Sequence, residues 1–312
     1  MTTRDSDSTY DTEPALSELS ASVTSSILHG KFENGRRYHA HREGTYFLPE
    51  DETEQDCLDL MGHCFNLSTN GELHRAPLRD PKLCLDIGTG TGLWALDFID
   101  KYPGCEVIGT DLSPIQPSWT APNCKFVADD ANADWLFSEK GQFNLIHSRY
   151  VCAGIEDWDK FWRQTYEHLR PGGWVESHEP TAMFYSDKPD FYKEKSQAWY
   201  WVHKVDEASK KIGRSFNVSH LHGKELKKVG FVNVHQECIH VPMGAWDKEK
   251  AEIGKVALLN AVEAVSVHSC SGWDLVKSEA LSAAVVKEFL HSKDQEFYFK
   301  LYLTWGQKPL DA

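Results

Sequence analysis

Hydrophobic and polar positions change their period several times along this chain. Residues 1–26 have no period: Ser, Thr, Asp and Glu dominate and large apolar groups are scarce. A disordered tail is expected there. Residues 27–80 are expected to form an N-terminal, largely helical cap. Within it, Ile27 to Leu48 crowds aromatics, cations and His39, and Leu58, Met61 and Phe65 recur at helical spacing behind an acidic first turn. Short apolar runs and helical patterns then alternate. Strands are expected at 83–87, 105–110, 124–128, 143–147 and 173–178, and helices at 92–101 and 157–169, the second stopped by Arg170-Pro171-Gly172-Gly173. Such alternation implies an α/β fold with a doubly wound, mostly parallel sheet. Two prolines in 111–119 argue against a long helix after the second strand.

Beyond residue 180 the pattern becomes helical again. Phe191, Ala198, Trp199, Val202 and Val205 mark a helix within 190–212, part of an insertion near 185–215. Lys224 to Val229 reads as a short helix closed by Gly230, and Phe231 to Val241 alternates as a strand. Helices are expected at 247–268 and 273–291, a second insertion near 247–292 that could cap a substrate. Phe297, Phe299, Leu301, Leu303 and Trp305 then alternate as a half-buried strand. Residues 81–312 are expected to form one domain.

Composition narrows the function. The 312 residues carry a formal net charge of −14, from 47 acidic and 33 basic side chains. Direct nucleic-acid binding is not expected without a basic footprint. No apolar run is long enough to cross a bilayer, and the polar start from Met1 to Tyr10 is unlike a secretory signal. The 8 cysteines form no C-x-x-C pair, so no metal site is expected. Reduced thiols fit a cytoplasmic setting, with the nucleus as the alternative.

The chemistry concentrates at 83–92, Leu-Cys-Leu-Asp-Ile-Gly-Thr-Gly-Thr-Gly. Gly88, Gly90 and Gly92 sit between an apolar strand and a helix, where backbone can approach a polar ligand. A dinucleotide fingerprint would place its third glycine at position 93, which is Leu93, so a nicotinamide-linked oxidoreductase is disfavoured. Ligands of such sheets bind at the carboxyl ends of the strands. Asp86 falls there after strand one, Asp111 with Leu112 after strand two, and Asp129-Asp130 after strand three. Asp111 follows Gly92 by nineteen residues, the length of a helix and a strand. A carboxylate at Asp111 can accept both hydroxyls of a ribose, and one after strand three can accept an adenine amino group, with Asp130 preferred over Asp129.

The form D-x-G-x-G-x-G resembles the first motif of class I S-adenosylmethionine methyltransferases. The resemblance sharpens to the fungal LaeA-like branch through Glu33-Asn34-Gly35-Arg36-Arg37-Tyr38-His39, Tyr46-Phe47-Leu48-Pro49, Asp86 to Trp94 and Gly109-Thr110-Asp111-Leu112-Ser113-Pro114-Ile115-Gln116-Pro117. Asp129-Asp130, Ile146-His147-Ser148-Arg149 and Leu169 to Trp174 complete it. It covers residues 30–180, with Asn144 standing where the pattern has Asp. By resemblance, the fold is Rossmann-like with seven strands, the C-terminal one antiparallel. The cofactor is S-adenosylmethionine, leaving S-adenosylhomocysteine, held by Asp86, Gly88, Gly90, Gly92, Asp111, Leu112, Asp129, Asp130, His147 and Tyr38.

Some members methylate secondary metabolites, and others are nuclear regulators acting with velvet-type proteins. A small-molecule O, N or S acceptor is the first expectation, and a regulatory complex the second. His147, at the end of strand four, is the candidate base, and Tyr46 a second catalytic candidate; each also reads as a core residue. Arg36 and Arg37 read equally as ligand contacts or as ion-pair partners of the acidic helix after Pro49.

Overall fold

A computed structural model describes residues 31–33, 36–38, 49–188, 196–211, 213–243, 275–291 and 296–312. The expected tail 1–26 and helix 247–268 lie outside the described residues. A short antiparallel hairpin comes first, β1 (Lys31–Glu33) and β2 (Arg36–Tyr38), followed by α1 (Glu52–Ser68). Within 27–80 the described residues thus form a hairpin and a helix. Asp51 caps α1 by accepting from Glu54 N, and also receives Arg36 through two side-chain hydrogen bonds of 2.7 and 2.9 Å. Arg37 lies 3.4 Å from Glu50. Both arginines therefore serve as ion-pair partners that tie the hairpin to the helix.

The sheet elements are β3 (Leu83–Ile87), α2 (Leu93–Lys101), β4 (Glu106–Asp111), β5 (Cys124–Ala128), β6 (Phe143–Arg149), α3 (Trp158–His168) and β7 (Leu169–Pro180). Then come α4 (Gln197–Lys211), α5 (His222–Val229), β8 (Val232–Pro242), α6 (Leu275–His291) and β9 (Tyr298–Gln307). The strand order is β5-β4-β3-β6-β7-β9-β8. β9 runs antiparallel to both its neighbours, and the pairs from β5 to β7 are parallel. The expected seven-stranded sheet with a reversed final strand is present. No helix forms between β4 and β5, as Pro114 and Pro117 require.

Several boundaries differ from the sequence reading. β6 extends to Arg149, two residues past the expected end, so the strand tip is Arg149 rather than His147. β7 begins directly at Leu169, which pairs with Phe143 of β6, and Gly172 N bonds Lys308 O at 3.0 Å just past the end of β9.

Buried carboxylates fasten loops to β7. Glu176 accepts from Arg75 N, Ala76 N and His178 Nε2 at 2.6–2.9 Å, which fixes the segment leading into β3. Glu179 accepts from Val151 N and Cys152 N, which fixes the segment after β6. Both side chains are fully buried.

Gly92 caps α2 in the left-handed region with φ +86°. A Cβ there would stand 2.5 Å from Phe126 Cζ, so side-chain clash and backbone strain coincide. Gly92→Ala is expected to lower stability by about 3 kcal/mol in urea unfolding. Gly104→Ala, with nothing within 4 Å of its would-be Cβ, should change it little.

Candidate functional site

A cleft with about 790 Å3 of space, continuous with solvent, opens at the carboxyl ends of β3, β4, β5 and β6. The chain leaves β3 through Gly88 (φ +65°) and Gly90 (φ +57°). A Cβ at Gly90 would meet only Leu58 Cδ1 of α1, at 3.6 Å, so the backbone faces open space. The loop is clamped on three sides. Gly90 N donates to Asp111 Oδ2 at 2.8 Å, Gln116 Nε2 donates to Gly90 O at 2.7 Å, and Thr91 Oγ1 donates to Asp59 Oδ1 at 2.6 Å. Gln116 comes from the Ser-Pro-Ile-Gln-Pro run, whose lack of helix leaves it free to fold back.

Asp111 ends β4, and its Oδ1 accepts from Ser113 N at 3.0 Å. Burial raises its pKa, and backbone N–H groups of Ser113, Gly90 and Leu112 oppose that rise. A carboxylate has about four acceptor positions, so acceptor capacity remains for a ligand beside these backbone contacts. Asp130 is buried and holds Asn132 by two hydrogen bonds, while Asp129 Oδ1 accepts from Asp130 N. Both line the cleft with Leu112.

The opposite wall holds residues that the motifs did not single out as site residues. Arg149 is the one cation among the described lining residues, against Glu54, Asp111, Asp129 and Asp130. Its guanidinium lies 5.8 Å from the centre of the Phe65 ring, and it makes no ion pair or side-chain hydrogen bond among the described residues. Burial lowers its pKa, while Asp86, Asp97 and Asp59 favour its charge. Tyr150 follows in a left-handed conformation, φ +60°, anchored by its N–H to His178 O. Non-glycine residues hold such angles only where surroundings enforce them. Its phenol makes no hydrogen bond among the described residues, and burial raises its pKa. Glu54, on the first turn of α1, has Oε2 buried without a hydrogen bond, 3.5 Å from Arg36 Nη2.

Of the expected ligands, Gly88, Gly90, Asp111, Leu112, Asp129 and Asp130 come together in the cleft. Asp86, His147, Gly92 and Tyr38 do not line it, and Tyr46 lies outside the described residues. His147 is 0% exposed, so it is not placed as the base. Its ring stacks on Trp94 with centroids 3.7 Å apart, and Nδ1 meets Asp86 Oδ1 at 2.7 Å. The parallel register sets Asp86 beside His147, and Thr89 Oγ1 donates to the other carboxyl oxygen. Burial pushes His147 well below its ordinary pKa, so it is neutral and serves as the floor beneath the glycine loop.

Burial pushes Glu54, Asp86 and Glu179 each up to about 7. A carboxyl whose native pKa exceeds its unfolded value favours folding at low pH, and that advantage fades as pH climbs from about 4 to 7. Glu54→Gln should flatten this decline in urea midpoints measured from pH 4.5 to 7.5; an unchanged slope would contradict the assignment.

A methyltransferase-domain family model matches residues 67–236, more than half of the chain. The chain is 36% identical over 303 residues to the methyltransferase pytC of Aspergillus terreus, covering 92% of this chain and 91% of that protein. It is 35% identical to the secondary metabolism regulator LAE1 of Cochliobolus heterostrophus, covering 89% and 94%. It is also 33% identical to the protein-methionine methyltransferase laeA of Emericella nidulans, covering 89% and 76%. With the family model, these similarities and the reversed final strand all in accord, the chain belongs to the LaeA-like branch of the class I S-adenosylmethionine-dependent methyltransferases.

Proposed function

We propose that this chain methylates a small-molecule acceptor of fungal secondary metabolism, and that the cleft over Gly90 is where donor and acceptor meet. One observation carries the reading. An open glycine backbone lies between several carboxylates and a single unpaired cation, a layout complementary to a nucleoside joined to an amino acid. Asp111 would accept from the ribose hydroxyls, Asp130 and Asp129 from the adenine amino group, and the backbone at Gly88 and Gly90 would meet the methionine portion. Arg149 would take the terminal carboxylate, for which its planar fork is suited. The bound cofactor supplies an activated methyl group on a sulfonium.

The chain's remaining task is positioning. In-line transfer needs the acceptor atom about 3–3.5 Å from the methyl carbon and aligned with the breaking bond. Tyr150 and Glu54 occupy the wall where an acceptor would enter. A hydroxyl or amine acceptor must lose a proton, and Glu54, with its carboxyl pushed up to about 7, suits that exchange near neutral pH. Oxygen, nitrogen and sulfur acceptors all fit this description.

A second reading is favoured by the relatives named as regulators: the protein would bind the cofactor while acting in a complex with a velvet-type protein. The first reading places it in the cytoplasm and the second in the nucleus. Fluorescent tagging with affinity capture from native extract separates them, since a stoichiometric partner in the nucleus supports regulation. A methylated metabolite lost on deletion, traced with labelled methionine, supports catalysis.

Calorimetry with S-adenosylhomocysteine tests the site itself. Asp111→Ala should weaken binding about 100-fold, through two lost charge-assisted hydrogen bonds and a loosened Gly90 loop. Arg149→Gln should weaken it at least about tenfold. Absence of binding by the intact protein would defeat both readings.

A further inference from the structure

A crevice with about 710 Å3 of space, continuous with solvent, lies at the amino ends of β3, β6 and β7, the edge of the sheet opposite the cleft. Strands of this length put it about 20 Å away, at about 3.3 Å per residue. Arg79 and Arg170 both line it, with the Trp174 indole as one wall. No carboxylate is among its described lining residues, in a chain with 47 acidic side chains. Neither guanidinium makes an ion pair among the described residues, and the neighbouring Asp80 is bound to Lys82 Nζ at 2.7 Å.

Exposed arginines alone would mean little, because solvated cations are common at surfaces. Asn144 changes that weighing. It is 7% exposed, and its Oδ1 accepts from Lys82 N and Leu83 N, both at 3.1 Å. Two backbone donors can only meet the amide oxygen, so the orientation of the amide is fixed. The Nδ2 donor is left without a protein partner among the described residues, at a side chain that lines the crevice. Gln307 contributes no counter-charge, since its Nε2 donates to Gly172 O and its Oε1 accepts from Asn233 Nδ2. An Asp at position 144 would cap the same two N–H groups but place its second oxygen, with negative charge, in the crevice. Asn144 instead presents a donor, and the charged side chains among the described lining residues are both cations.

We infer that this crevice is a second binding site, separate from the cleft, for a small phosphate-bearing metabolite. Arg79 and Arg170 would grip the phosphate oxygens from two sides, Asn144 Nδ2 would supply a donor from the floor, and the crevice is larger than one phosphate needs, leaving room for the ester portion. The inference does not depend on the methyl-transfer reading.

Calorimetry on the full chain at low salt, with inorganic pyrophosphate as the probe and citrate as the carboxylate control, tests it. Saturable pyrophosphate binding at one site is expected, with citrate at least tenfold weaker. The Arg79→Gln/Arg170→Gln double variant and Asn144→Asp should each lose at least tenfold in affinity, with unfolding midpoints close to the parent. No saturable pyrophosphate heat would overturn the site. So would citrate binding as tightly as pyrophosphate, or parental affinity in either variant. Arg170→Gln alone, an exposed position, covers the case in which the other variants unfold, and it too should bind more weakly.

Discussion

The bond from Gly90 N–H to the Asp111 carboxylate joins the two halves of the site. It fixes the glycine loop to the tip of the neighbouring strand, so the open backbone and the acidic wall are set by one contact. Gln116 and Asp59 hold the same loop from its other sides. A loop restrained on three sides has already lost the freedom that a ligand would otherwise have to remove. Burying Asp111 disfavours its charge, and the backbone donors around it offset that penalty.

Ionisable side chains are buried within the sheet, and they are used as fasteners. Burial pushes both Glu176 and Glu179 upward. His178, bonded to Glu176 at 2.6 Å, turns Glu176 back below the ordinary carboxyl range, while Glu179 has no such partner and stays raised. Each carboxylate gathers N–H groups from a loop that has no strand to pair with, and so satisfies backbone that would otherwise be buried and unbonded. The segment held by Glu179 carries the cleft wall at Val151, and the segment held by Glu176 leads into β3. The layer of Asp86, His147 and Trp94 supports the glycine loop from below in the same way.

The strands were legible because buried parallel strands are apolar runs bounded by turn residues, as in Leu83–Ile87 and Cys124–Ala128. The cofactor loop was legible because glycine adopts its left-handed backbone angles without steric cost. The roles of Asp86 and His147 were not. Strand alternation says that a side chain points to one face of the sheet, without saying whether that face is covered. Here α2 covers it, and Trp94 stacks on the buried His147 ring. The two-residue extension of β6 then moves the exposed tip to Arg149. Tyr150, whose left-handed backbone has no local sequence signal, follows it into the cleft.

By itself, the sequence determined the order of strands and helices, the glycine turn and the acidic residues near the strand tips, since each follows from local periodicity or from the steric needs of single residues. Only the tertiary structure decided which acids face the cleft, that Arg36 and Arg37 serve the hairpin, and that Asn144 presents its amide nitrogen to a crevice shared with Arg79 and Arg170. Those outcomes depend on which surfaces other elements cover and which groups meet across long stretches of chain, and neither is encoded in the spacing of neighbouring residues.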